Sequence, residues 1–90
     1  MDIEHQADRS RYVGRIEGEI VCALDYADNG SVVSMTRTFT NPAFRGRGLA
    51  AEIVAHAVDE VEGAGKRVRP MCWYVAHWFD AHPERAALLA

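Results

Sequence analysis

The stretch Phe44-Arg45-Gly46-Arg47-Gly48-Leu49-Ala50 lies where an extended segment ends and a helical pattern begins. A helix start offers unpaired main-chain N–H groups and the positive end of the helix dipole. Glycine lets an anion approach those groups closely, and the flanking Arg45 and Arg47 add forked donors suited to phosphate oxygens. The stretch therefore predicts a phosphate-binding loop. The alternative is a plain turn with close helix packing, in which both arginines are solvated.

The residues that follow predict a helix, a strand and a second helix. Apolar side chains repeat at helical spacing from Leu49 to Val61, and glycines end this pattern. Residues 66–72 are typical of a fourth strand, in which Pro70 cannot donate to a ladder, so we expect the strand to be unpaired on one side or splayed there. Residues 73–82 predict a short second helix.

The residues that precede the loop predict three strands. Residues 11–17, 19–27 and 31–39 are rich in alternating or β-branched side chains. Glu17-Gly18 forms a short turn, and Asp28-Asn29-Gly30 is a strong hairpin signal. Two tight turns in succession indicate an antiparallel meander.

The predicted order is β-β-β-α-β-α, a mixed-sheet α/β fold with one antiparallel meander, one parallel strand and two helices. We expect one domain over residues 1–90, with some fraying in residues 1–10. Strand three, helix and strand four form a βαβ unit, and ligands of such units bind outside the carboxyl ends of the strands. Cys72 ends strand four, so it should lie close to the Arg45–Ala50 loop.

Composition and charge exclude several classes. The chain has 90 residues and a formal net charge of −3, which does not indicate a nucleic-acid-binding protein. No apolar run is long enough for a bilayer, and the N-terminus does not resemble a secretory signal. Cys22 and Cys72 form no CxxC motif, so we expect both to be reduced in a cytoplasmic protein. The sequence leaves the oligomeric state open.

Three motifs in order resemble a known family. Arg45-Gly46-Arg47-Gly48-Leu49-Ala50 is similar to the Arg/Gln-x-x-Gly-x-Gly/Ala signature of the GNAT superfamily of N-acetyltransferases. The run from Thr38 to Pro42 leads into this signature and completes the first motif. With the segment Pro70-Met71-Cys72-Trp73-Tyr74 and the tripeptide His82-Pro83-Glu84, it resembles the very small, single-domain members. The resemblance covers nearly the whole chain beyond about residue 11.

The resemblance implies that acetyl-coenzyme A is the cosubstrate and that an amine-bearing acceptor attacks its thioester directly. It implies that the pyrophosphate lies on the glycine loop and the pantetheine arm lies in a gap between strands three and four. The implied cofactor-binding residues are Phe39, Thr40, Arg45, Gly46, Arg47, Gly48, Leu49 and Ala50, of which one arginine should contact phosphate. Cys72 is the implied catalytic residue, against the alternative that it is a small buried side chain.

Two features leave the activity open. Many small relatives have a histidine in strand three, whereas this chain reads Met35-Thr36-Arg37-Thr38. The small members also lack the later strands with which larger GNAT enzymes build an acceptor pocket. A non-catalytic coenzyme A-binding module is therefore the alternative to an acetyltransferase.

Other sites are disfavoured. Gly46-x-Gly48-x-x-Ala51 satisfies a loose dinucleotide-binding fingerprint, but the acidic residue expected about 20 positions on is absent. The four histidines lack zinc-site spacing, so we expect no metal. Tyr74 is either a proton donor to the leaving thiolate or a packed side chain. We expect the core to include Cys22, Trp73, Trp78 and Phe79.

Overall fold

The computed structural model describes residues 1–90 and contains a five-stranded sheet and two α-helices. The elements are β1 (Asp2–Gln6), β2 (Arg11–Ile16), β3 (Glu19–Asp28), β4 (Val32–Thr40), α1 (Leu49–Gly63), β5 (Arg67–Pro70) and α2 (Trp73–Asp80). Short 3-10 turns lie at Ala7–Arg9, Pro42–Phe44 and Pro83–Leu88. Neither α-helix combines the length and the apolar character that crossing a bilayer requires.

The strands lie in the sheet in their chain order, from β1 to β5. Successive strands pair antiparallel, except that β5 pairs parallel with β4. The predicted mixed α/β class, the meander and the parallel fourth strand of the prediction are therefore confirmed. With only one parallel pair, the sheet is not the doubly wound sheet of dinucleotide-binding domains.

The first strand, β1, is absent from the predicted order, which is wrong at this point. β1 pairs with β2 from Asp2↔Arg15 to Gln6↔Arg11. Its sequence gives no strand signal because it is an edge strand with only Ile3 as an apolar residue. It is also held from the α1 side: the His5 ring stacks on Tyr12 at 4.1 Å, and His5 Nδ1 lies 3.3 Å from Glu60 Oε1.

The core lies between the sheet and the two helices. The predicted apolar stripe of α1 is buried, with Ile53, Val54, Ala57 and Val58 fully inaccessible. α2 adds Val75, Trp78 and Phe79 to the same cluster, and the sheet adds side chains that include Leu24, Met35 and Cys22. Burial of each such side chain contributes about 1.5–3 kcal/mol. This packing fixes the start of α2 beside the start of α1.

The strands β4 and β5 separate well before β4 ends. Their pairing runs from Val32↔Arg67 to Met35↔Pro70, while β4 continues to Thr40. The amides of Met71 and Cys72 both donate to Met35 O, at 3.0 Å each, and the chain then enters α2. The splay expected at Pro70 is therefore present, and it leaves a gap beside the second half of β4.

The outer edge of β5 is occupied by the last residues of the chain. Leu89 forms a parallel bridge with Val68, and the amide of Ala90 donates to Val68 O at 2.8 Å. The strand β5 therefore has a partner on both sides at Val68.

Gly14 of β2 sits where a side chain has no room, so Gly14→Ala should destabilise the fold. A Cβ there would overlap Met1 Sδ and lie 2.7 Å from Cys22 Sγ. Overpacking of this kind costs about 1–3 kcal/mol, which urea denaturation measures directly. The matched control is Gly63→Ala, because a Cβ on this last residue of α1 meets nothing within 4 Å. The Gly63→Ala control should raise the free energy of unfolding by about 0.4–1 kcal/mol. Equal stability of Gly14→Ala and wild type would contradict the prediction.

Candidate functional site

The loop between β4 and α1 is shaped by local hydrogen bonds and by two left-handed glycines. Asn41 follows the last residue of β4, and its Oδ1 accepts from the Ala43 amide at 3.0 Å. Gly46 and Gly48 have φ values of 82° and 72°, which other residues adopt at a cost. A Cβ at either glycine would meet nothing within 4 Å, so the space in front of the loop is open.

The amides that open α1 have no acceptor within the protein. Gly48 is the N-cap and offers no side chain, and the first bonded amide of the helix is that of Glu52, which donates to Gly48 O at 3.1 Å. The amides from Gly46 through Ala51 donate to no protein oxygen. Unpaired N–H groups at a helix start form a site for an anion.

These amides open onto a cavity of about 420 Å³. It joins the starts of both α-helices to the end of β4, as the βαβ topology predicts. Its lining residues are Thr38, Thr40, Phe44, Arg45, Gly46, Gly48, Leu49, Ala50, Trp73 and Tyr74. Of the residues implied by the family resemblance, only Phe39, Arg47 and Cys72 are not part of this lining.

The cavity extends into the gap beside β4. The amide of Asn41 donates to Val21 O of β3, and the alternation of an antiparallel ladder then turns the main-chain groups of Phe39 toward β3 and those of Thr38 and Thr40 toward the gap. The Phe39 side chain lies on the opposite sheet face, in a separate hollow that Asp25 also lines. The structure therefore puts Thr38 and Thr40 at the gap and points Phe39 away from it.

The two arginines of the loop have different surroundings. Arg45 lines the cavity. The Arg47 guanidinium lies over the Phe44 ring, with Cζ 4.9 Å from the ring centroid, in a cation–π contact. Arg45 is therefore the arginine placed to reach an anion at the start of α1.

Cys72 is the N-cap residue of α2 and is half-buried. Its Sγ lies 3.7 Å from Thr38 Oγ1 across the gap. Burial alone would raise the pKa of the Cys72 thiol, but the hydrogen bond with the Thr38 hydroxyl and the nearby amides of Val75, Tyr74 and Thr38 hold it below its ordinary value. A lowered thiol pKa is one condition for a reactive cysteine.

Sequence reasoning placed one aromatic residue wrongly. Trp78 and Phe79 are in the core as predicted, but Trp73 is 77% exposed and lines the cavity. Helical spacing could have separated them, because Val75, Trp78 and Phe79 share one face of α2 and Trp73 is off it. Tyr74 also lines the cavity, and burial raises the pKa of its phenol, so it keeps its proton at neutral pH. Cys22 is fully buried, as expected.

No group of three or more histidine, cysteine, aspartate or glutamate side chains is arranged to hold a metal ion. The site's donors are main-chain N–H groups, hydroxyls, one arginine and one thiol. This set suits an organic anion.

Comparison with protein-family models identifies the family. The model described as GCN5-related N-acetyl-transferase matches residues 11–88. The chain belongs to the GCN5-related N-acetyltransferase family. The family resemblance of the three sequence motifs is thereby confirmed.

Similar proteins are found among both curated sequences and solved structures. Protein NATD1 of Bos taurus is 27% identical over 84 residues, which cover 90% of this chain and 74% of that protein. Protein NATD1 of Gallus gallus is 26% identical over 86 residues, which cover 92% of this chain and 77% of that protein. Each alignment therefore covers most of this chain and about three quarters of the relative.

Two solved N-acetyltransferases share the fold. The ribosomal-protein-S18-alanine N-acetyltransferase from Escherichia coli superposes with a TM-score of 0.67 at 13% identity, covering 79% of this chain and 49% of that one. The aminoglycoside N-acetyltransferase AAC(6')-Iy, solved in complex with CoA, gives a TM-score of 0.54 at 22% identity, covering 64% of this chain and 50% of that one. The chain matches about half the length of these enzymes.

Proposed function

We propose that this protein binds acetyl-coenzyme A and transfers its acetyl group to an amine. The observation that supports this most directly is the row of unpaired amides from Gly46 through Ala51, which faces a cavity that continues into the gap beside β4. A ligand with a pyrophosphate at one end and a long amide-containing arm matches this shape.

The residues present fit each part of that ligand. The pyrophosphate would lie on the amides at the start of α1, where the helix dipole and Arg45 favour negative charge. The pantetheine arm would pair with the main-chain groups of Thr40 and the carbonyl of Thr38, as an added strand does at a sheet edge. The thioester would then lie toward Cys72, at the inner end of the gap.

The proposed reaction is a direct acyl transfer. The nitrogen of a neutral amine attacks the thioester carbonyl carbon, a C–N bond forms, and the C–S bond breaks with coenzyme A leaving as the thiolate. The nitrogen loses one proton in the process. Holding the thioester in the gap converts an encounter in solution into a local step, which is a major source of rate.

Cys72 is the residue that we assign to the proton released by the amine. Its sulfur is at the gap, and the pKa of its thiol is lowered by hydrogen bonds. A thiolate there can accept the proton as the C–N bond forms. Strand β4 offers no histidine for this role, since residues 35–38 read Met-Thr-Arg-Thr.

The two loop arginines provide the test of phosphate binding. We expect Arg45→Ala to weaken coenzyme A binding about tenfold, because a hydrogen bond to a charged group contributes about 1.5–3 kcal/mol and this one is partly solvated. Arg47→Ala is the matched control and should change the affinity less than about threefold, since Arg47 packs on Phe44. Isothermal titration calorimetry with coenzyme A measures both. Equal losses, or a larger loss for Arg47→Ala, would contradict the assignment.

The second candidate function is a coenzyme A-binding module that does not catalyse transfer. It is favoured by the coverage of only about half of the solved acetyltransferases. Incubating the protein with acetyl-coenzyme A and a mixed pool of amines and peptides, and measuring free thiol, separates the two candidates. Thiol release above a protein-free blank supports the enzyme, and release equal to the blank together with tight binding supports the module.

A further inference from the structure

Thr38 of β4 is the side-chain hydrogen-bond partner of the Cys72 sulfur. The two residues are 34 positions apart, and they meet only because β5 leaves β4 after Met35. The distance of 3.7 Å between Thr38 Oγ1 and Cys72 Sγ is within hydrogen-bonding range for sulfur. If β4 and β5 paired along their full length, main-chain bonds between the strands would occupy this space.

Donor groups on both sides of the gap lie near the sulfur. The Thr38 hydroxyl is within hydrogen-bonding range. The amides of Val75, Tyr74 and Thr38 also lower the pKa of the thiol, although the sulfur makes no capping hydrogen bond to α2. None of the charged side chains on the neighbouring elements, Arg37 or Arg69 among them, is a main influence on the pKa of Cys72. A thiolate accepts from every donor in this set, whereas a thiol can use only some of them.

We propose that Thr38 is the positioning residue of Cys72: its hydroxyl donates to the thiolate across the gap and holds the sulfur toward the bound thioester. The catalytic consequence of this contact rests on the function proposed above, but the contact itself does not. Thr38 acts on the reaction only through Cys72, so it is not itself a catalytic residue. Thr40 lines the same cavity but has no contact with the sulfur and serves as its control.

Thr38→Val tests the proposal because it removes the donor and keeps a β-branched side chain in the strand. Loss of one charge-assisted hydrogen bond should lower the thiolate population of Cys72 at neutral pH about tenfold. A thiolate of higher pKa is also more nucleophilic, with a Brønsted coefficient of about 0.4–0.5, so the alkylation rate should fall only about threefold. The pH midpoint of alkylation should move upward.

The experiment measures the rate of iodoacetamide labelling of Cys72 against pH, with mass spectrometry to distinguish it from the buried Cys22. Thr38→Ser keeps the hydroxyl and should restore the wild-type midpoint, and Thr40→Val should leave it unchanged. A wild-type midpoint in Thr38→Val, or the same shift in Thr40→Val, overturns the proposal.

The pH profile of acetyl transfer separates this proposal from the proposed function. If Thr38 positions a working thiolate, the rising limb of the profile moves with the alkylation midpoint in Thr38→Val and returns in Thr38→Ser. An unchanged profile beside a shifted midpoint overturns the positioning role. If wild type binds no coenzyme A, the proposed function fails, while the alkylation series still decides whether Thr38 stabilises the Cys72 thiolate.

Discussion

Replacing Ala50 with glutamate should abolish coenzyme A binding without weakening the fold. Ala50 is in the first turn of α1 and lines the cavity, so the new carboxylate would lie where the pyrophosphate is proposed to bind. Two like charges about 4 Å apart repel by about 4 kcal/mol at an effective dielectric constant near 20. Solvent screening lowers this repulsion energy. We expect the affinity for coenzyme A, measured by calorimetry, to fall by at least about 100-fold. An acidic residue in the first turn favours the helix by about 0.3–1 kcal/mol, so thermal stability should hold or rise.

Ala50→Gln is the control for size, since it has the same shape and no charge. It should reduce the affinity less than about tenfold. Equal losses in Ala50→Glu and Ala50→Gln would indicate a steric block rather than an anion site, and unchanged affinity in both would remove the pyrophosphate from the start of α1. Gly48→Glu brings the same charge, but it also strains a residue whose φ is 72°, so Ala50 gives the cleaner test.

Replacing Cys72 with alanine should lower acetyl transfer far more than it lowers binding. A positioned proton acceptor contributes about 10²–10⁴-fold to a rate, and we expect kcat to fall by at least about 100-fold. The dissociation constant for coenzyme A should change less than about threefold, because Cys72 does not line the part of the cavity beside α1. Free-thiol release under saturating acetyl-coenzyme A gives kcat, and calorimetry gives the affinity.

Cys22→Ala is the matched control, because Cys22 is fully buried and its sulfur contacts Met1, with Sγ 3.4 Å from Met1 Sδ. The Cys22→Ala variant should unfold at a lower urea concentration than wild type and keep the wild-type kcat, whereas Cys72→Ala should lose kcat. Equal activity in Cys72→Ala and wild type would return Cys72 to the packing residues and leave the amine's proton without a protein acceptor.

The sequence predicted the glycine loop, the long helix and the meander because each has a local signal. Gly46 and Gly48 indicate a backbone that approaches an anion, and the stripe from Leu49 to Val61 has a clear helical period. The approach of α2 to the loop followed from topology alone, since a right-handed βαβ unit brings both helix starts to one end of the sheet.

What the sequence did not predict depends on tertiary contacts. β1 is an edge strand whose polar residues are ordered by pairing with β2 and by the contacts of His5. Neither interaction produces a hydrophobic periodicity that could be found in the sequence. The role of Thr38 likewise depends on where β5 leaves the sheet, which Pro70 signals only roughly. The opposite faces of Phe39 and Thr40 follow from strand alternation, but only once the register is known.

The position of Leu89 and Ala90 on β5 has a consequence for self-association. Sheets commonly join between molecules through a free strand edge, and here Val68 already has a partner on that side. Another molecule could extend the sheet at β5 only after these two residues had detached, so self-association by that route would compete with a contact inside the molecule. The opposite border is β1, whose Asp2 and Glu4 bring two negative charges to that edge, and charged side chains on an edge strand disfavour pairing with another chain.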